Sequence, residues 1–166
     1  MLWQASVAAI YVAERAGAPM TALAQISALA GRGLDGDRYA TGEGFYSWAA
    51  GPLREVSLIE AEVLERLALD HNLDLPPGVH RRNIVTRGVP LGHLIGHEFR
   101  VGEATFRGVE NCEPCQHLID ITGIAGILSP MIHRGGLHAA IVAGGAIRIG
   151  DAIVAVEPAA ASDPIP

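Results

Sequence analysis

Phe99-Arg100-Val101-Gly102-Glu103-Ala104-Thr105-Phe106 is the stretch whose reading decides the fold class. Two short runs rich in aromatic and β-branched residues flank Gly102-Glu103, and so short a connection between extended segments predicts a hairpin. Upstream, Arg82-Asn83-Ile84-Val85-Thr86 also reads as extended, and one turn of helix is expected near Leu91 to Ile95. Downstream, Leu137 to Val142 and Ile147 to Val156 read as strands, the second folded about Gly150-Asp151. Near the start, Val7-Ala8-Ala9-Ile10-Tyr11-Val12 predicts a buried first strand, and Leu23 to Leu29 a second.

One helix is expected. Ser57 followed by Glu60 has the form of a capping box, and Ile59, Val63, Leu64 and Leu67 recur at helical spacing up to His71-Asn72. Between Cys115 and Ile132, Gly123, Gly126 and Pro130 limit any helix to short pieces. Short strands divided by glycine turns, with few helices, predict a mainly β (β-rich α+β) fold: a small closed or partly closed β-barrel with a few peripheral helices. A chain of 166 residues suits one domain, expected over 1–158, with a flexible tail at 159–166.

Composition narrows the function. The net charge of −6 provides no general field for nucleic acid or an anionic membrane, so a phosphate-bearing ligand needs a local basic pocket. All 12 basic side chains are Arg, which excludes a lysine Schiff base, and with it pyridoxal phosphate held in that way, as well as a Walker-type lysine. The apolar run from Ser6 to Val12 is far shorter than the ~20 residues of a membrane span, and a cytoplasmic location is expected. Neither nucleic acid nor a membrane is an expected partner.

Cys112-Glu113-Pro114-Cys115-Gln116-His117 is the sharpest local feature. Four readings compete for it: two small buried hydrophobes, a structural zinc site short of ligands, a redox pair lacking its βαβ context, or a single thiolate at Cys115 that carries sulfur or ligates a soft metal. Around it stand three Arg-plus-turn segments. In Asp35-Gly36-Asp37-Arg38, Gly36 would let the backbone approach a ligand, Arg38 would grip an anion, and Asp37 would orient the arginine or bind a heterocycle. In Arg81-Arg82-Asn83, adjacent side chains on a strand point opposite ways, so one arginine would bind and the other be solvated, while Asn83 would bond a ring. Arg134-Gly135-Gly136 is the third, and read alone it is an ordinary loop. His93, His97, His133 and His138 show no metal-ligand spacing and are read as structural. Phe45, Tyr46 and Trp48 lie in a glycine-flanked loop, where they either pack on the barrel or close over a substrate.

The order of these pieces is itself informative. Gly33 to Arg38, Val56-Ser57-Leu58-Ile59, Arg82 to Leu91, Ile95-Gly96, Phe99 to Gly102 and Glu113-Pro114-Cys115 together resemble the MOSC domain, the C-terminal domain of molybdenum cofactor sulfurases, from about Ser6 to Pro158. Tyr39 stands where many relatives carry His. The resemblance implies a barrel that handles the molybdenum cofactor (molybdopterin) or its sulfur, with a small-molecule cofactor and substrate, and a redox or sulfur-donor protein, as its partners. It makes Cys115 the functional residue, as metal ligand or persulfide carrier, and places Gly36, Asp37, Arg38, Arg81, Arg82 and Asn83 near the pterin and its phosphate. Two activities are therefore expected. One is a reductase of N-hydroxylated or related substrates with Cys115 on molybdenum. The other is a carrier that relays sulfur as a Cys115 persulfide, for which the sulfur needs access and neighbouring positive charge.

Overall fold

The computed structural model describes residues 3–157; the tail expected to be flexible at 159–166 lies outside them. Its strands in chain order are β1 (Ala5–Val12), β2 (Thr21–Leu23), β3 (Gln25–Leu29) and β4 (Gly33–Leu34), followed by the short helix α1 (Arg38–Thr41). Then come β5 (Val56–Glu60), α2 (Ala61–His71), β6 (Ile84–Arg87), β7 (Glu98–Val101) and β8 (Ala104–Asn111). After α3 (Gln116–Thr122) and α4 (Leu128–Met131), the chain ends in β9 (Leu137–Ala143), β10 (Gly145–Arg148) and β11 (Ala152–Ala155).

The hairpin at 99–106 forms as expected, with Phe99 opposite Phe106 and Val101 opposite Ala104. From it the barrel runs β7-β8-β9-β5-β6-β1-β11 and closes where β11 returns to β7. All seven strands are antiparallel to their neighbours except β5 and β6, which are parallel and joined through α2. That one parallel pair is buried on both faces, as parallel strands are. Leu58 and Ile84 point into the barrel core with Phe99, Phe106 and Leu137, while Ile59 and Val85 point outward under Leu67, Leu118, Ile127 and Met131 of the helical layer. Each fully buried aliphatic or aromatic side chain contributes about 1.5–3 kcal/mol, so two cores sharing one strand pair hold that pair firmly. Everything set on the ends of β5 and β6 inherits that rigidity.

Three expectations need correction. Ser57 does not cap a helix: it sits in β5 opposite His138 of β9, and α2 begins only at Ala61, with Glu60 at its N-cap making no side-chain cap bond. The Ser-x-x-Glu signature is local, whereas the β-ladder that claims Ser57 is not. The helix does end where the sequence placed it, with Asn72 at φ 53° closing α2. The strand expected from Leu23 to Leu29 breaks at Ala24, β2 continuing β1's edge and β3 joining a separate small sheet, β10-β3-β4. The two halves of Ile147 to Val156 likewise part company, β10 pairing with β3 while β11 closes the barrel. The small sheet nevertheless serves the same core, since Ala28, Leu34 and Ile147 are buried in it.

Gly135 and Gly136 show why glycines precede β9. A Cβ on Gly136, at φ 116°, would lie 2.0 Å from Leu58 O, and one on Gly135 would lie 2.4 Å from Cys112 O. This close approach brings the Cys112–Cys115 segment against the end of β5, where the cleft opens.

Candidate functional site

A cleft of about 330 Å³ opens where α1, the 44–54 loop, the residues before β6 and the start of α3 meet. Its walls carry four arginines, Arg38, Arg54, Arg81 and Arg82, against one carboxylate, Glu113. In a chain of net charge −6 this is the local basic pocket that an anionic ligand requires. Cys112, Cys115, His117 and His138 line the same cleft, so Arg38, Arg82 and Cys115, remote in sequence, share one cavity.

The arginines divide by what the protein asks of them. Arg82 is buried, donating from Nε to Gly135 O at 2.8 Å, from Nη1 to His80 O at 3.0 Å and from Nη2 to Cys112 O at 3.1 Å. It pins the loop before β9 and the Cys112 backbone to β6, and lends the cleft charge more than free donors. Arg81 takes a left-handed conformation, φ 67°, so the alternation expected of a strand fails and both arginines turn inward, 9% and 7% exposed. Neither is the solvated surface charge that strand geometry predicted. Arg81 donates from Nη1 to Ala18 O, while its buried Nε has no acceptor among the described residues. Burial, with Arg38 nearby, lowers its pKa to about 10, which leaves it charged at neutral pH.

Arg38 lies on Asp37 at 3.2 Å and over the Tyr39 ring at 4.8 Å. Asp37 is wholly buried; it accepts from Ala13 N and Tyr39 N, does not line the cleft, and holds Arg38 in position. Gly36 is likewise absent from the lining, and a Cβ there would meet nothing within 4 Å; its φ of 78° serves the turn. Asn83 reaches the cleft wall with its amide largely engaged by the fold: Oδ1 accepts from Ser57 N at 3.1 Å, and Nδ2 donates one of its two N–H groups to Tyr11 O at 3.1 Å. These bonds tie β1 to β5. Arg134 donates to Pro130 O at 2.6 Å outside the cleft, in keeping with its reading as an ordinary loop residue.

The two cysteines differ sharply. Cys112 is buried and its thiol is pushed up by burial, whereas Cys115 is exposed at the N-cap of α3. Tyr46 Oη lies 3.5 Å from Cys115 Sγ, and this contact, with burial, pushes the phenol up to about 12, so the hydroxyl stays protonated and able to donate to a thiolate. The Tyr46 ring in turn carries the Arg54 guanidinium, 4.7 Å from its centroid. Phe45 stacks on His117 with centroids 3.8 Å apart. The loop aromatics thus split: Phe45 and Tyr46 form the cleft wall, and Trp48, 82% exposed, does not line it. Among the described residues no three His, Cys, Asp or Glu side chains converge as a metal-binding group.

Sequence reasoning missed Arg54, met Tyr39 and His117 only as members of their motifs, and read His138 as structural. Arg54 sits in no motif; His138 was legible only as one face of a strand, and which face looks into the cleft depends on the β5–β9 pairing. Burial, followed by Arg82 and Arg54, lowers His138 to about 4, and burial, followed by Arg82, lowers His80 to about 3. His80 Nδ1 accepts from Arg82 N at 3.0 Å, a bond that only the neutral ring can make. With folded-state values below the ordinary 6.5, both groups favour the fold above pH 6.5 and lose that contribution as pH falls toward 4 and 3. The unfolded chain binds the extra protons in that window, so stability declines there by up to about 1.4 kcal/mol per pH unit per histidine. Thermal melts between pH 7 and 4 are expected to fall more steeply for the wild type than for His80→Asn, whose amide accepts from Arg82 N without titrating. Equal slopes would remove His80 as the cause.

Comparison with known proteins agrees with this architecture. The YuaD protein of Bacillus subtilis superposes with a TM-score of 0.69 at 16% identity, over 92% of this chain and 97% of that one. YiiM from Geobacillus stearothermophilus gives 0.71 at 14% identity, over 92% and 75%, and YiiM from Escherichia coli 0.62 at 20% identity, over 96% and 71%. No curated protein matches in sequence. At these identities the structures speak for the fold alone, but the MOSC domain family model matches residues 46–154, well over half the chain and including β5, β6 and the Cys112–Cys115 segment. The barrel, the order of its motifs and this match together make the chain a member of the MOSC domain family.

Proposed function

We propose that the cleft binds the molybdenum cofactor with Cys115 as a molybdenum ligand, and that the protein reduces N-hydroxylated or related small molecules. One observation carries the reading: an exposed thiol and a wall of guanidinium groups line the same cavity. The residues fit such a group at both ends. A thiolate suits a soft metal, and Arg81 Nε, buried without an acceptor beside Arg38, suits a phosphate oxygen. The cleft volume of about 330 Å³ lies within the range of cofactor sites, roughly 300–1,000 Å³.

In this reading Arg38 and Arg81 hold the phosphate by charge-assisted hydrogen bonds, and Asp37 keeps Arg38 aimed. Tyr46 donates to the Cys115 sulfur and fixes its direction. Phe45 and His117, stacked on each other, give the cleft an aromatic wall. The cofactor, when bound, supplies the two electrons of the reduction, in which the N–O bond breaks and, with two protons, water and the amine leave. An electron-donor protein is the expected partner. A second reading, sulfur relay through a Cys115 persulfide, draws on the exposure of Cys115 and predicts a one-sulfur adduct on that residue that reductant removes.

The test is reduction of a small amidoxime or hydroxylamine by cofactor-loaded protein with a viologen electron donor. Turnover that depends on Cys115 supports the first reading. Absence of turnover together with a reductant-sensitive Cys115 adduct supports the second.

A further inference from the structure

Arg54 is the cleft arginine that the protein leaves least engaged. Its partners among the described residues are Leu53 O, at 3.4 Å on the adjacent residue, and the face of the Tyr46 ring; its buried Nε has no acceptor. Arg82, by contrast, spends all three nitrogens on carbonyls. A guanidinium carries five N–H donors, and leaving them without acceptors in a desolvated site is costly unless a ligand completes them.

A second incomplete group shares this part of the cleft. His138 Nδ1 is buried and without a partner, and the imidazole, held neutral by burial and by Arg82 and Arg54, can donate from Nδ1 without adding charge. The one carboxylate of the cleft is turned to His133 and makes no ion pair with Arg54 among the described residues: Glu113 Oε2 accepts from His133 N at 2.9 Å and Oε1 lies 3.4 Å from His133 Nδ1. The Tyr46 ring beneath Arg54 bears the hydroxyl that touches Cys115 Sγ, which links Arg54 to the sulfur through one side chain, and His138 lines the same cleft.

We infer that Arg54 and His138 form an oxyanion subsite beside Cys115, which binds a carboxylate or similar group on the molecule that reacts there. It is separate from the Arg38–Arg81 wall assigned above to a phosphate. The inference rests on the reading of this cleft as a ligand site, and it defines the substrate class more narrowly: small molecules bearing an anionic oxygen group.

The probe is alkylation of Cys115 in metal-free protein by iodoacetate and by iodoacetamide, read by peptide mass. In each case the thiolate sulfur attacks the methylene carbon and iodide leaves, so any change in thiolate content moves both rates together and their ratio reports only the reagent's charge. The ratio in the wild type is expected to exceed that of N-acetylcysteine by about tenfold, the equivalent of one charge-assisted hydrogen bond. The overall charge of −6 would push the ratio the other way. Arg54→Gln is expected to return the ratio to that of the free thiol, while Arg81→Gln keeps most of it. If Arg54→Gln does not fold, competition decides: acetate slows iodoacetate but not iodoacetamide in the wild type. A wild-type ratio at or below the free thiol's overturns the subsite, as does a ratio unchanged in Arg54→Gln or lost equally in Arg81→Gln. Because no metal is present, these outcomes are independent of whether molybdenum binds.

Discussion

On the proposed reading, Cys115→Ser is expected to abolish reduction of N-hydroxylated substrates, by at least about a thousandfold, and to leave the fold unchanged. The hydroxyl is hard and remains protonated where a thiolate ligates, so the exchange of one atom removes the anionic soft ligand without changing shape. Cys115 is exposed and its backbone merely begins α3, so melting should shift by no more than the roughly 0.5 kcal/mol typical of surface changes. Cys112→Ser provides the contrast. That thiol is buried, so a hydroxyl there costs about 1–2 kcal/mol of stability while activity at the reference temperature survives. Turnover by the Cys115 variant, or equal loss in both variants, would show that the chemistry lies elsewhere.

Arg82→Met lowers stability by about 3–5 kcal/mol, the cost of leaving the carbonyls of His80, Cys112 and Gly135 without donors in a buried site. For a domain of this size that is a fall of roughly 10 °C in Tm. Arg54→Gln, whose protein partners are one long hydrogen bond and a ring face, should change stability by less than about 1 kcal/mol. Urea titration of the two variants separates a structural arginine from a ligand-binding one. Similar losses for both would contradict the division of roles drawn from their hydrogen bonds.

The features legible in the sequence are those that depend on near neighbours. Phe99 to Phe106 announced its hairpin because both strands and their turn lie within eight residues. Arg38, Arg81, Arg82 and Cys115, which motif order marked, line one cleft. What the sequence could not supply was partnership. Ser57 fits a cap signature and a strand equally well, and the choice is made by Asn83 and His138, 26 and 81 residues away. Asp37 and Asn83 carry the polar atoms that a ligand needs, yet the fold spends those atoms on Ala13, Tyr39, Ser57 and Tyr11. Arg54 and His138 sit in no motif, and His138 enters the cleft only because β9 pairs with β5 in one register. Barrel closure, rather than local pattern, decides which polar groups remain free.

Molybdenum analysis of protein expressed with abundant cofactor and purified without added reductant, alongside Cys115→Ala prepared identically, tests the central claim most directly. About one molybdenum per chain in the wild type, lost in the variant, is the predicted result, because the proposal makes the Cys115 thiolate the protein's ligand to the metal. Molybdenum absent from both, or retained in full by Cys115→Ala, would contradict the assignment of the cleft as a molybdenum-cofactor site ligated through Cys115.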